Sequence, residues 1–560
     1  MTRTAQRRIS RLLAVFVATL VAACANSPQE TKNTVADSAP PAAAARKAEP
    51  LLQAERSKMA MAVAPAQMPA VMPVAQMMSQ PAQANERYSQ ITDNPVKLVA
   101  EAPVSTFSID VDTGSYSNLR RLLNAGQMPP ADAVRVEELI NYFPYDYALP
   151  TDKRPFAVHT ELAPAPWNPE RVLVRIGIKG QDVAKQNLPP ANLVFLVDVS
   201  GSMESPDKLP LLKNSLKLLV NELRAQDRLS LVTYASGTQV VLSSTSGAEK
   251  ATINAAIDAL RAGGSTAGAS GLQLAYSAAQ QGFIKGGINR ILLATDGDFN
   301  VGVADDRQLK SMIEEKRKSG IALSTLGFGT GNLNESMMEQ IADVGDGAYS
   351  YIDSLMEGHK VLVNEMSSTL ATIARDVKVQ IEFNPALVKE YRQIGYENRQ
   401  LNREDFNNDK VDAGDIGAGH TVTALYELTL VGAKGSVEPL RYGKKIMPKE
   451  ALAKELGHLR LRYKTPEANS SELIEIPLQR AAIKPLAEAG SEFRFATAVA
   501  GYGQLLRGGK YTGNWNYADA RQLAIANLGK DRFGYRGEFL RMVDLTQALA
   551  MKVNTLDEPN

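Results

Sequence analysis

At 560 residues the chain is too long for one hydrophobic core, so several domains are expected. Charged residues make up 22% and hydrophobic ones 44%, the balance of an ordinary globular protein. Discounting Arg3, Arg7, Arg8 and Arg11, which fall in a leader-like segment, 58 basic residues face 61 acidic ones, and that leaves no electrostatic case for nucleic-acid binding.

Residues 1–24 read as a secretion signal. The four arginines precede an apolar run over residues 12–23, too short for a permanent membrane span. The run ends in V-A-A-C, and Cys24 is the one cysteine of the chain, so no internal disulfide or cysteine metal cluster is available. V-A-A-C resembles the bacterial lipobox, whose cysteine is lipidated and becomes the mature amino terminus. With Ala25 next, that resemblance implies a lipoprotein of the Gram-negative outer membrane, facing the periplasm. Residues 25–94 are rich in Ala, Pro, Gln, Met and Ser without periodicity. Such a stretch cannot bury enough apolar area to offset its ordering entropy, and a flexible tether is expected. Its methionines have no nearby His or Cys and read as low-complexity filler rather than a copper site.

Over residues 95–189 the pattern predicts a strand at 106–109, helices at 116–124 and 134–143, and alternating strands at 156–162 and 171–178. Between the first strand and helix lies D-V-D-T-G-S, Asp110 to Ser115. It nearly matches the D-x-D-x-T motif of haloacid dehalogenase phosphatases, where one Asp is nucleophile and another general acid. The threonine is one place early, however, and a turn or helix cap made by Asp112 and Ser115 is the better reading.

The stretch 193–203, L-V-F-L-V-D-V-S-G-S-M, organises the rest. Its apolar run is that of a strand buried on both faces of a parallel sheet. It ends in Asp198, Ser200 and Ser202, oxygen donors delivered where open α/β sheets bind ligands. Hard divalent cations take such ligands. Further strands at 229–234, 290–295, 321–328 and 349–352, an edge strand at 239–242 and intervening helices predict a doubly wound parallel sheet over residues 190–367. D-x-S-x-S resembles the metal-ion-dependent adhesion site of von Willebrand factor type A (VWA) domains. In that family the serines, a threonine on the second loop and an aspartate after the fourth core strand hold Mg2+ or Mn2+. The matching positions here are Thr266 in G-G-S-T and Asp296 in T-D-G, preferred by family register over Ser265 and Asp298. The resemblance also implies an open coordination position for an acidic side chain of a protein partner, and a last helix, 354–367, that shifts with metal occupancy.

In residues 368–487 alternating strands are expected at 377–383, 421–430, 459–463 and 473–477. They are expected to pair with those at 156–178, so that the central Rossmann-like domain is inserted in a β-sandwich. Residues 488–560 return to helices at 493–506, 517–527 and 539–550. The fold class is thus α/β with a β-sandwich and helical N- and C-terminal parts. Asp405, Asn407 and Asp409 resemble the start of a calcium loop, but Lys410 and Ile416 stand where Gly and Glu are needed, so a solvated loop is expected. The four histidines are scattered, and no zinc motif, P-loop or G-x-S-x-G is visible. The whole order resembles bacterial VWA lipoproteins with family-specific flanks. That implies a membrane-anchored, cation-dependent protein-binding module, not an enzyme, with no small-molecule substrate. The alternatives are a structural envelope protein with a metal-free VWA scaffold and a phosphatase using Asp110 and Asp112.

Overall fold

A computed structural model describes residues 86–266, 268–297, 306–438 and 454–556. Cys24 and the methionine-rich stretch lie outside the described residues, as does Asp298. Residues 86–94, expected to end the tether, are fastened to the fold: Glu86 pairs with Arg121 at 2.9 Å and Asp93 with Arg507 at 2.6 Å.

The first flank comprises β1 (Lys97–Leu98), β2 (Val104–Ser108), α1 (Gly114–Asn124), α2 (Val136–Asn141) and a hairpin of β3 (Phe156–Ala165) and β4 (Asn168–Gly180). The central domain then runs β5 (Ala191–Asp198), α3 (Leu209–Glu222), β6 (Arg228–Tyr234), β7 (Thr238–Ser246), α4 (Lys250–Ala259) and α5 (Gly268–Gln281). It continues with β8 (Ile288–Thr295), α6 (Asp306–Arg317), β9 (Ala322–Phe328), α7 (Glu335–Val344) and β10 (Tyr349–Ile352). Its expected last helix is broken into α8 (Leu355–His359), a π turn (Lys360–Asn364) and α9 (Met366–Leu370). The second flank holds β11 (Thr372–Phe383), β12 (Val388–Ile394), β13 (Ile416–Gly417), β14 (Thr421–Leu430), β15 (Glu455–Lys464) and β16 (Glu472–Gln479). Three helices close the described chain, α10 (Ser491–Leu506), α11 (Tyr517–Ile525) and α12 (Tyr535–Leu556).

The central sheet has the order β10-β9-β8-β5-β6-β7, parallel except for the edge strand β7. Strand β5 shows why its run from Leu193 to Val197 is apolar. Leu193, Phe195 and Val197 face one core with Leu212 and Leu216 of α3; Val194 and Leu196 face another with Leu272 of α5 and Ile313 of α6. Helices on both faces favour apolar residues on both sides of such a strand.

The flanking strands form two further sheets, β1-β12-β14-β4-β3 and β13-β11-β15-β16, with β2 paired to β11. Pairing joins chain from before and after the central domain: Val174 of β4 lies opposite Tyr426 of β14, and Phe107 of β2 opposite Val379 of β11. The sheets share one core, so the central domain is inserted in a β-sandwich. The two helical parts are one body, because Tyr116, Tyr142 and Phe143 share one core with Phe495, Tyr502 and Phe539, Phe143 meeting Phe495 and Phe539 edge-on.

A candidate metal site at the carboxyl end of the parallel sheet

Strand order reverses between β5 and β8, since the chain leaves β5 toward β6 and β7 and then returns to β8 on the other side. Open α/β sheets bind ligands at such a switch point. Asp198 is the last residue of β5 and Asp296 immediately follows β8, so the two aspartates flank it. Both are fully buried, Ser200 is buried, and Ser202 and Thr266 are half-buried.

Local hydrogen bonds shape the loops. Asp198 Oδ1 accepts from Ser200 N at 2.9 Å, and Oδ2 accepts from Thr295 Oγ1 at 3.0 Å. The Ser200 and Ser202 hydroxyls stand 3.1 Å apart. The first loop is zipped to the second, Gly201 N donating to Gly264 O at 2.9 Å and Gly263 N to Val199 O at 2.8 Å. Gly264 takes φ +89°, and a Cβ there would fall 2.4 Å from Ser236 Oγ, so this close approach requires glycine. Thr266 follows on the same loop. Its neighbour Ser265 is engaged elsewhere, its amide donating to Ser236 Oγ at 2.9 Å.

Burial dominates the electrostatics of the site. Burial pushes the Asp198 carboxyl up to about 6, and the nearby charge of Asp296 adds to the rise. One cation is built in: Lys208 Nζ donates to Asp296 Oδ2 at 2.8 Å, with side chains only 8% and 0% exposed. Sequence reasoning missed this lysine, because a Lys opening an amphipathic helix reads as solvent-facing. Among the described residues no three His, Cys, Asp or Glu side chains gather as a metal cluster. A divalent cation here would therefore rest on the hydroxyls of Ser200, Ser202 and Thr266 together with Asp198 and Asp296. That all-oxygen set, with one carboxyl destabilised by burial, suits Mg2+ or Mn2+.

The other candidates are engaged within the fold. Asp110 Oδ1 accepts from Asp112 N at 3.0 Å, so the turn belongs to Asp110 rather than to Asp112 and Ser115. Asp112 Oδ1 instead accepts from Tyr349 N at 2.8 Å, and Ser115 Oγ donates to Ala133 O at 2.7 Å. Neither caps α1. Arg399 pairs with both aspartates, at 3.3 Å and 3.1 Å, and β2 pairs antiparallel in the sandwich instead of opening a Rossmann-like sheet. In the calcium-like loop, Asp405 caps a short helix, Asn407 accepts from Arg462 at 2.8 Å and Asp409 from Ser471 at 2.6 Å.

Comparison with known proteins gives three family matches: von Willebrand factor over residues 82–175, von Willebrand factor type A domain over 192–364, and the C-terminal region of uncharacterized protein YfbK over 368–549. The Escherichia coli K12 protein YfbK is 55% identical over 472 residues, spanning 83% of this chain and 81% of that one. The chain belongs to the YfbK family. Its inserted central domain is a VWA domain, and the flanking sandwich and helices carry the family's own C-terminal region. A Synechocystis protein, sll0103, is 27% identical over 56% of this chain and 71% of its own length. Among solved structures, one titled von Willebrand factor type A from Catenulispora acidiphila covers 70% of this chain and 91% of that one, at 16% identity and a TM-score of 0.40.

Proposed function

We propose that this YfbK-family protein is a membrane-anchored protein-binding module whose contacts depend on Mg2+ or Mn2+ held by Asp198, Ser200, Ser202, Thr266 and Asp296. One observation carries the reading: two buried aspartates and a pair of serine hydroxyls converge at the switch point of the parallel sheet, with the Asp198 carboxyl raised to about 6 by burial and by the charge of Asp296. Three neutral hydroxyls leave much of a divalent cation's charge uncompensated, so the loaded site favours a carboxylate offered by a protein partner. Lipidation at Cys24 would hold the module at the outer membrane, facing the periplasm, with residues 25–85 as its tether. The reading assigns no catalytic residue, and the engagement of Asp110 and Asp112 by Arg399 speaks against a phosphatase.

One observation favours a second reading, a structural envelope protein on a metal-free VWA scaffold: Asp296 already has an ammonium partner in Lys208. Calorimetric titration of Mg2+ and Mn2+ into the full-length protein separates the two. Binding that disappears in Asp198→Ala supports the cation-dependent module. Absence of binding in both proteins supports the scaffold.

A further inference from the structure

We infer that Lys208 is a resident cation of the VWA site that sets its charge, weakening its hold on the metal while biasing the loaded site toward an anionic partner group. The inference rests on the cation-dependent reading above. The position of the ammonium is built by three elements rather than left to a free side chain. Lys208 immediately precedes α3, its carbonyl accepting from Leu212 N at 2.8 Å in the first turn. Its stem runs beneath Gly329, just past β9. A Cβ on Gly329 would fall 2.2 Å from Lys208 Cγ and 2.4 Å from Cε, and the residue takes φ +72°. No side chain could stand there without expelling the lysine. The Gly329 carbonyl is itself held by Tyr351 of β10, whose hydroxyl donates to it at 2.6 Å. The apolar stem is thus buried and its charged end delivered to Asp296.

The charge count then follows. Asp198 and Asp296 alone would neutralise a divalent cation. With Lys208 present, the loaded site carries one net positive charge. Inside a protein that charge acts at reduced dielectric screening, so it opposes metal binding and attracts a carboxylate arriving from outside. Without metal, the same lysine offsets a buried aspartate that would otherwise weaken the fold.

The test titrates Mg2+ calorimetrically into full-length wild type, Lys208→Met and Lys208→Gln, and follows thermal unfolding of each with and without Mg2+. Both substitutions keep a stem for the channel beneath Gly329 and remove the charge, so failure of one to fold leaves the other. The expected result is Mg2+ affinity tighter by roughly tenfold or more in the variants. Their unfolding temperatures should fall below wild type without Mg2+ and rise further than wild type when it is added. Binding by the variants alone would mean that Lys208 excludes the metal outright, which overturns the cation-dependent reading and with it the inference of a biased, loaded site. Wild-type binding with equal or weaker affinity in the variants overturns the role of Lys208 and leaves the cation reading standing. No binding by any of the three overturns both.

Discussion

Single carboxyls away from the metal site carry pH dependence of their own. Asp415 lines a cavity of about 310 Å3 together with Arg290, Asp346 and Asp412. Burial pushes its carboxyl up to about 8, and the charges of Asp346, Asp376 and Asp412 push the same way. In the unfolded chain the group ionises near 3.8. Between those values the folded state keeps a proton that the unfolded state has lost. Stability from this group is therefore full below 3.8, falls as pH rises, and levels off above about 8. Asp415→Asn keeps the oxygen that accepts from Asp376 N at 3.2 Å while removing the titration. Its unfolding temperature should match wild type at the acid end of this window and exceed it increasingly toward the alkaline end. A gain of the same size at every pH would clear Asp415 of this role. Such a residue was not legible in sequence, since nothing in D-A-G-D-I-G marks one aspartate as enclosed. Asp198, Ser200 and Ser202 were, because a strand end places contiguous residues at one point of the fold.

At the scale of elements, the contrast lies between strands with one dominant environment and strands with two. Strand β5 was evident from its unbroken apolar run. Strand β12, V-K-E-Y-R-Q-I, was not, because its Glu390 and Arg392 are buried through pairing rather than through apolarity. Glu390 accepts from Ser436 N and Val437 N at 3.0 Å and 2.8 Å, and Arg392 pairs with Glu427 at 2.7 Å. The break in the last VWA helix was equally hidden. The broken segment is held by other elements: Arg120 of α1 pairs with Asp353, with Glu357 at 2.8 Å and with Glu538 at 2.6 Å. Lys360, in the π turn, pairs with Glu365 at 2.7 Å and stands 4.3 Å from the centre of the Tyr142 ring. These contacts pin the segment 355–370 to the helical body, against the metal-coupled shift that family resemblance implies. Proteolysis within 355–370 should therefore be equally slow with and without Mg2+ in wild type. It should quicken in Arg120→Met, which leaves buried carboxylates without their guanidinium and costs about 3–5 kcal/mol of stability. A marked change of wild-type cleavage on adding Mg2+ would revive the shift.

Across the whole molecule, one guanidinium ties three parts together. Arg399, which follows β12 of the sandwich, pairs with Asp110 and Asp112 in the link from β2 to α1. It also pairs with Glu339 at 3.3 Å and Asp343 at 2.6 Å on α7 of the VWA domain. The sequence shows D-x-D as a local motif and gives no hint that its partner lies so far along the chain, which is why a phosphatase resemblance arose there. The arrangement couples the inserted domain to its host around a cavity that Glu365, Ser368 and Thr372, on the connection leaving the insertion, also line. Arg399→Met should then do more than lower stability. Loss of the shared cation leaves buried carboxylates facing one another, an effect of about 3–5 kcal/mol. It also removes an ionic link that makes VWA domain and sandwich unfold together. Denaturant unfolding followed by near-ultraviolet circular dichroism should shift to lower concentration and separate into two transitions. Arg399→Lys should recover only part of the midpoint, because a single ammonium cannot fork to four carboxylates on different elements. A single transition at the wild-type midpoint in Arg399→Met would show that the apolar contacts alone hold the domains in register.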